Sequence, residues 1–153
     1  FFHVNGIVHG DFTPENIMLK RDFSQVRIID FGGSRQLTWE VHPNQTFLFG
    51  KLLYLAPELW QGLPACNASD IYAAGIIFVK ILTSKHPFLL EENRDISQIR
   101  QGHETGNREE LIRELKIPEV REIIRRMLDT MPENRPNASE VLAVLSTVIS
   151  FRK

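Results

Sequence analysis

The chain is poor in cysteine. Cys66 stands alone among 153 residues, so no intrachain disulfide forms and a reducing, cytoplasmic setting is expected. Nothing near it in sequence would activate a thiol, and a small core residue is its expected role. Charge of one sign is lacking too. Eighteen Lys and Arg against nineteen Asp and Glu leave a net −1, which excludes a general attraction to nucleic acid or to an anionic membrane. The basic cluster Arg121, Arg125 and Arg126 reads as the solvated face of a helix. No apolar run is long enough to span a bilayer; the longest, Ala73 to Leu82, contains Lys80. No basic segment ahead of an apolar stretch marks a signal peptide, and no internal repeat or low-complexity tract is present. With 42% hydrophobic and 24% charged residues, the composition is that of one ordinary globular domain.

What is present begins at residue 9. His9 to Leu19 reads HGDFTPENIML, and Asp30, in IIDFGGS, follows Asn16 by fourteen positions. Two short β-rich runs, IMLK and QVRIID, flank the polar RDFS and predict a hairpin. A hairpin returns the chain to its starting edge and so brings Asp30 back beside Asn16. Transfer of a γ-phosphoryl group needs a carboxylate within reach of the acceptor hydroxyl and oxygen ligands for Mg²⁺ between the phosphates. Asp11 is the candidate for the first task, Asn16 and Asp30 for the second. Each triplet alone is weak, because Asp and Gly are common turn formers and a lone His9 is more often a packed histidine. Joined by a hairpin of this length, they form a pattern with a mechanical reason.

The rest of the chain is mainly helical. Phe1 to Val8 reads as the ragged end of a helix stopped at Asn5-Gly6, as in a chain cut from something longer. Residues 33–56 read as a long polar loop. Ser69-Asp70 precedes a helix apolar nearly all round, which His86-Pro87-Phe88 breaks. A short helix is expected over 95–101, and amphipathic ones over 109–116 and 118–128. Asn137 with Glu140 resembles a capping box opening a last helix through Ile149. The expected class is α+β, helices dominating, with one hairpin near the front.

These motifs resemble the C-terminal lobe of the eukaryotic protein kinase superfamily across essentially the whole chain. HGDFTPEN resembles its catalytic loop (9–16), and Asp30-Phe31-Gly32 the metal-binding start of its activation segment (30–58). Ala56-Pro57-Glu58 resembles the end of that segment, twenty-eight positions from Asp30 to Glu58. The remainder (59–150) resembles the family's helical subdomain. The resemblance implies a kinase-like fold, ATP and Mg²⁺ as cofactors, and a protein substrate phosphorylated on Ser or Thr. It implies Asp11 as base, Asn16 and Asp30 at the metal, and Met18 under the adenine ring. It gives His9, Phe31 and Gly32 structural roles, has Asp70 hold the catalytic-loop backbone, and pairs Arg135 with Glu58 to brace the substrate-side loop. Kinases of small molecules share the His-Gly-Asp but lack the Ala-Pro-Glu segment, the Asp70 helix and the late Arg135-Pro136.

Three departures stand out. Gly10 replaces an Arg that in many kinases grips a phosphorylated loop, so a loop bearing Ser34, Thr38 and Thr46 is expected to order itself without phosphorylation. Thr13 and Lys51 stand where the family usually has Lys and Thr, which suggests that charge and hydroxyl have changed sides and that Lys51 steadies the phosphoryl group. No glycine-rich loop, lysine or partner glutamate precedes Phe1, so an N-terminal lobe is expected as a partner and the chain alone is expected to be inactive. The alternatives are a pseudokinase or truncated lobe acting as a binding module and, third, a small-molecule phosphotransferase.

Overall fold

The computed structural model describes residues 1–33, 35–36, 52–88, 96–105 and 109–150. Two small antiparallel sheets lie at the front. β2 (Ile17–Leu19) pairs with β3 (Val26–Ile28), placing Ile17 opposite Ile28 and Leu19 opposite Val26. The connecting turn is closed by Asp22, whose Oδ1 accepts the Ser24 N–H at 3.0 Å and the Ser24 hydroxyl at 2.6 Å. Phe23 takes a left-handed φ of 57° there. The opening 3-10 turn His3–Asn5 stops at Gly6, whose φ of 70° suits glycine.

The second sheet corrects the reading of 33–56 as loop throughout. β4 (Arg35–Gln36) pairs with β1 (Ile7–Val8), Val8 opposite Arg35. Two residues carry no periodicity, and the partner lies far back in the chain, so no local pattern announces this strand.

Helices supply the core. α1 (Pro57–Trp60) and α2 (Asn67–Thr83) are followed by α3 (Ile96–Thr105), α4 (Glu109–Glu114), α5 (Pro118–Met127) and α6 (Ala138–Ser150). α2 is the central element, with Tyr72, Ile76 and Val79 fully buried. α5 packs across it and turns Val120, Ile123, Ile124 and Met127 inward at helical spacing. Gly75 permits the crossing: a Cβ there would lie 2.9 Å from Leu128 Cδ2 and 3.1 Å from Met127 Cβ. α2 ends at Ser84, which adopts φ 60° and donates its N–H to the Lys80 carbonyl.

Two expectations about α2's start are corrected. The helix begins at Asn67, so Ser69 and Asp70 belong to its first turn rather than preceding it. The Ser69 hydroxyl accepts the Cys66 N–H at 3.2 Å, the bond from N-cap to third helical residue of a capping box. Cys66 is therefore the half-buried N-cap and not a core residue. α3 runs past its expected end to Thr105. The capping box of α6 is present: Asn137 Oδ1 accepts the Glu140 N–H at 3.0 Å, and Glu140 Oε2 accepts the Asn137 N–H at 2.8 Å. The basic cluster is more than a solvated face. Arg121 donates twice to the Leu115 carbonyl, Arg125 pairs with Glu109 and Glu122, and Arg126 with Glu140. No helix among the described residues is long and apolar enough to cross a membrane.

Candidate active site

The loop 9–16 hangs from the first turn of α2. Asp70, buried there, accepts the Gly10 N–H on Oδ1 at 2.9 Å and the His9 N–H on Oδ2 at 2.8 Å. Its Oδ2 also lies 3.0 Å from His3 Nε2. A charged acceptor holding successive backbone N–H groups fixes both loop position and peptide orientation. Gly10 turns the chain with φ 73°, a conformation glycine adopts without steric cost. His3 escaped the sequence reading; its only trace is a histidine six positions before His9, ahead of the helix stop.

Asn16 ends the 3-10 turn Pro14–Asn16, which Pro14 starts at its preferred first position. Its Nδ2 donates to the Asp11 carbonyl at 2.8 Å and to Asp11 Oδ2 at 3.2 Å. The amide nitrogen thus faces Asp11, and planar geometry turns the Oδ1 acceptor the other way. The residue before Asp30 is held from both sides. Ile29 donates its N–H to the Asn16 carbonyl at 2.9 Å, and its own carbonyl lies 3.0 Å from His9 Nε2. His9 Nδ1 receives the Asp11 N–H at 3.3 Å, so Nε2 carries the ring proton and donates to Ile29. Asp11, Asn16 and the backbone entering Asp30 are therefore joined through His9 and Ile29.

Asp30 itself is exposed, with φ 59°, and its Oδ1 accepts the Gly32 N–H at 3.2 Å. A Cβ on Gly32 would stand 3.1 Å from that oxygen, so a side chain there would crowd the carboxylate. The Phe31 ring packs 4.9 Å from both His9 and Phe2. The side chains of Asn16 and Asp30 offer hard oxygen donors, the chemistry Mg²⁺ prefers. Among the described residues no three His, Cys, Asp or Glu gather into a metal cluster. Thr13 is buried, its carbonyl accepting the Asn16 N–H at 3.0 Å, and Met18 is 56% exposed on β2. Lys51, like Ser34, Thr38 and Thr46, lies outside the described residues.

A second anchor stands one residue away on α2. Ser69 donates its hydroxyl to Glu58 Oε1 at 2.7 Å. Arg135 meets the same carboxylate in a fork, Nη1 to Oε1 at 2.7 Å and Nη2 to Oε2 at 2.8 Å. Its remaining N–H groups reach the carbonyls of Ala68, Asp129 and Thr130, so all five donors are used. The guanidinium also sits 4.8 Å from the centre of the Tyr72 ring. Burial would raise the Glu58 carboxyl; hydrogen bonds from Arg135 and Ser69, with the Arg135 charge, outweigh it and hold Glu58 below the usual range. Successive residues of α2, Ser69 and Asp70, thus fasten the Ala56-Pro57-Glu58 segment and the 9–16 loop to one helical turn.

Comparison with known proteins matches residues 1–145 to the protein kinase domain family. A "Probable serine/threonine-protein kinase" of Clostridium acetobutylicum is 33% identical over 149 residues, covering 97% of this chain and 22% of that protein. An Aurora kinase of Schizosaccharomyces pombe is 30% identical over 150 residues, covering 93% and 38%. Among solved structures, the autoinhibited serine kinase domain of the giant muscle protein titin superposes with a TM-score of 0.71 at 33% identity. That superposition covers 92% of this chain and 43% of the titin kinase chain. The chain thus spans less than half the length of each.

Proposed function

The chain belongs to the protein kinase family, and from that premise we propose that it forms the C-terminal lobe of a serine/threonine kinase. Completed by an N-terminal lobe, it transfers the ATP γ-phosphoryl group to a protein hydroxyl. The acceptor oxygen bonds to the γ-phosphorus, the bond from phosphorus to the ADP oxygen breaks, and the hydroxyl proton passes to Asp11. Asn16 and Asp30 would hold Mg²⁺, which would supply charge neutralisation at the phosphates. Met18, exposed on β2, underlies the adenine. Lys51 would steady the transferring group, the task the family usually gives to a lysine at the position of Thr13; a cycle of Lys51→Thr, Thr13→Lys and the double change tests this, additive losses removing the idea. The segment ending in Glu58 faces the acceptor.

The observation that carries this reading is the bonding, through His9 and Ile29, of Asp11 and Asn16 to the backbone entering Asp30. Its test is autophosphorylation and Mg²⁺-ATP binding by the full-length protein, wild type against Asp11→Asn. Loss of a positioned base lowers transfer by roughly 10²–10⁴-fold while nucleotide binding persists. Equal transfer by both proteins sinks the proposal. A binding module is the second reading, favoured by Gly10 where the family often has arginine; nucleotide-independent partner capture with no transfer by the wild type would establish it.

A further inference from the structure

His86 repeats, just beyond the C-terminal end of α2, the hydrogen-bond arrangement of His9. Each histidine receives at Nδ1 the backbone N–H of the residue two further on: Asp11 to His9 at 3.3 Å, Phe88 to His86 at 3.2 Å. Each faces, through Nε2 at 3.0 Å, the carbonyl of a separate segment, Ile29 for His9 and Leu53 for His86. An N–H aimed at Nδ1 requires a lone pair there, so the His86 proton sits on Nε2 and is donated to Leu53. Both ring nitrogens are satisfied only in the uncharged form.

The surroundings enforce that form. The His86 ring stands edge-on to Tyr54, 5.6 Å between centres, and Lys80 donates to the Tyr54 hydroxyl at 3.1 Å. Burial pushes His86 down to about 4, with the Lys80 charge adding to it against the pull of the Leu53 carbonyl. Behind it lies His103, wholly buried on α3, 4.3 Å from the Phe88 ring and bonded through Nδ1 to the Tyr72 hydroxyl at 3.0 Å.

We propose that His86 is a positioning residue for phosphoryl transfer: its Nε2–H holds the Leu53 carbonyl and sets the shape that the segment before Ala56-Pro57-Glu58 presents to an acceptor peptide. The proposal rests on the kinase reading above. Between these ends Lys80 holds the Tyr54 hydroxyl and Trp60 Nε1 donates to the Leu55 carbonyl at 3.2 Å; His86 holds the Leu53 carbonyl at the near end and Arg135 holds Glu58 at the far end.

The test compares His86→Leu, which removes the donor, with His86→Gln, whose amide N–H replaces Nε2, in the full-length protein. For His86→Leu the acceptor-peptide KM rises about tenfold, the order of one lost hydrogen bond, while the ATP KM stays within about twofold. His86→Gln recovers most of the loss. Amide hydrogen exchange, which needs no activity, shows faster exchange over 52–56 in His86→Leu and none of that change over 9–16. A merely structural role would lower the active fraction and move neither KM. Gln behaving as Leu, both KM values rising together, or 52–56 staying protected overturns the proposal. If the wild type transfers no phosphoryl group, the kinase reading fails, and the exchange comparison still decides whether His86 anchors the segment.

Discussion

Acidification from pH 7 to pH 5 provides a quantitative test of the buried histidines. His86 is pushed down to about 4, first by burial and then by Lys80. His103 is pushed to about 3, first by burial and then by the nearby His86, with the Leu53 carbonyl opposing. In the unfolded chain both titrate near their ordinary value of 6.5. Their contribution is therefore fully present above that value. It is lost as pH falls below it, because the unfolded state gains protons that the folded state refuses. Between pH 7 and pH 5 each histidine removes about 2 kcal/mol by proton linkage, and the pair about 4 kcal/mol. A small domain holds roughly 5–15 kcal/mol in all, so the loss is a large share of the total. The window lies above the carboxylates, and Glu58 is itself held below its ordinary 4.5. Urea titrations followed by circular dichroism read the effect as a drop of about 2 M in the midpoint. In a His86→Gln, His103→Gln protein the drop should shrink to a small fraction. Equal midpoints at pH 7 and pH 5 would refute the assignment of both rings as buried and uncharged.

Two further substitutions probe what holds the site in place. Glu58→Gln leaves the fully buried Arg135 guanidinium opposite a neutral amide and should cost about 3–5 kcal/mol in urea unfolding; adding Arg135→Met should recover part of it. Gly75→Ala places a Cβ 2.9 Å from Leu128 Cδ2. Overpacking of about 1–3 kcal/mol then opposes the helix propensity gained, about 1 kcal/mol. A net fall in Tm is expected, relieved by Leu128→Val, and a rise in Tm would show that the crossing has room.

Local physics made much of this protein legible from its sequence. The β2–β3 hairpin follows from two β-rich runs around a turn that Asp22 closes. The α5 face follows from apolar spacing, and the α6 cap from Asn137 and Glu140. In each case the partners lie within a few residues, so composition and period carry the information. The order of motifs from Asp11 to Arg135 identified the family for the same reason: each motif is short and locally complete.

What only the tertiary structure decided involves partners far apart in the chain or the medium around a group. β4 exists because β1 lies beside it, and Ser69 matters because Glu58 reaches it from eleven residues away. Gly10 reads in sequence as a lost arginine; in the fold it also occupies a left-handed turn that glycine takes freely. His3 and His86 carry no motif at all. Their roles come from Asp70 and Leu53, residues 67 and 33 positions distant, brought close by the packing around α2. A charge state set by burial is likewise invisible in one dimension, because desolvation is a property of the surrounding protein and not of the residue.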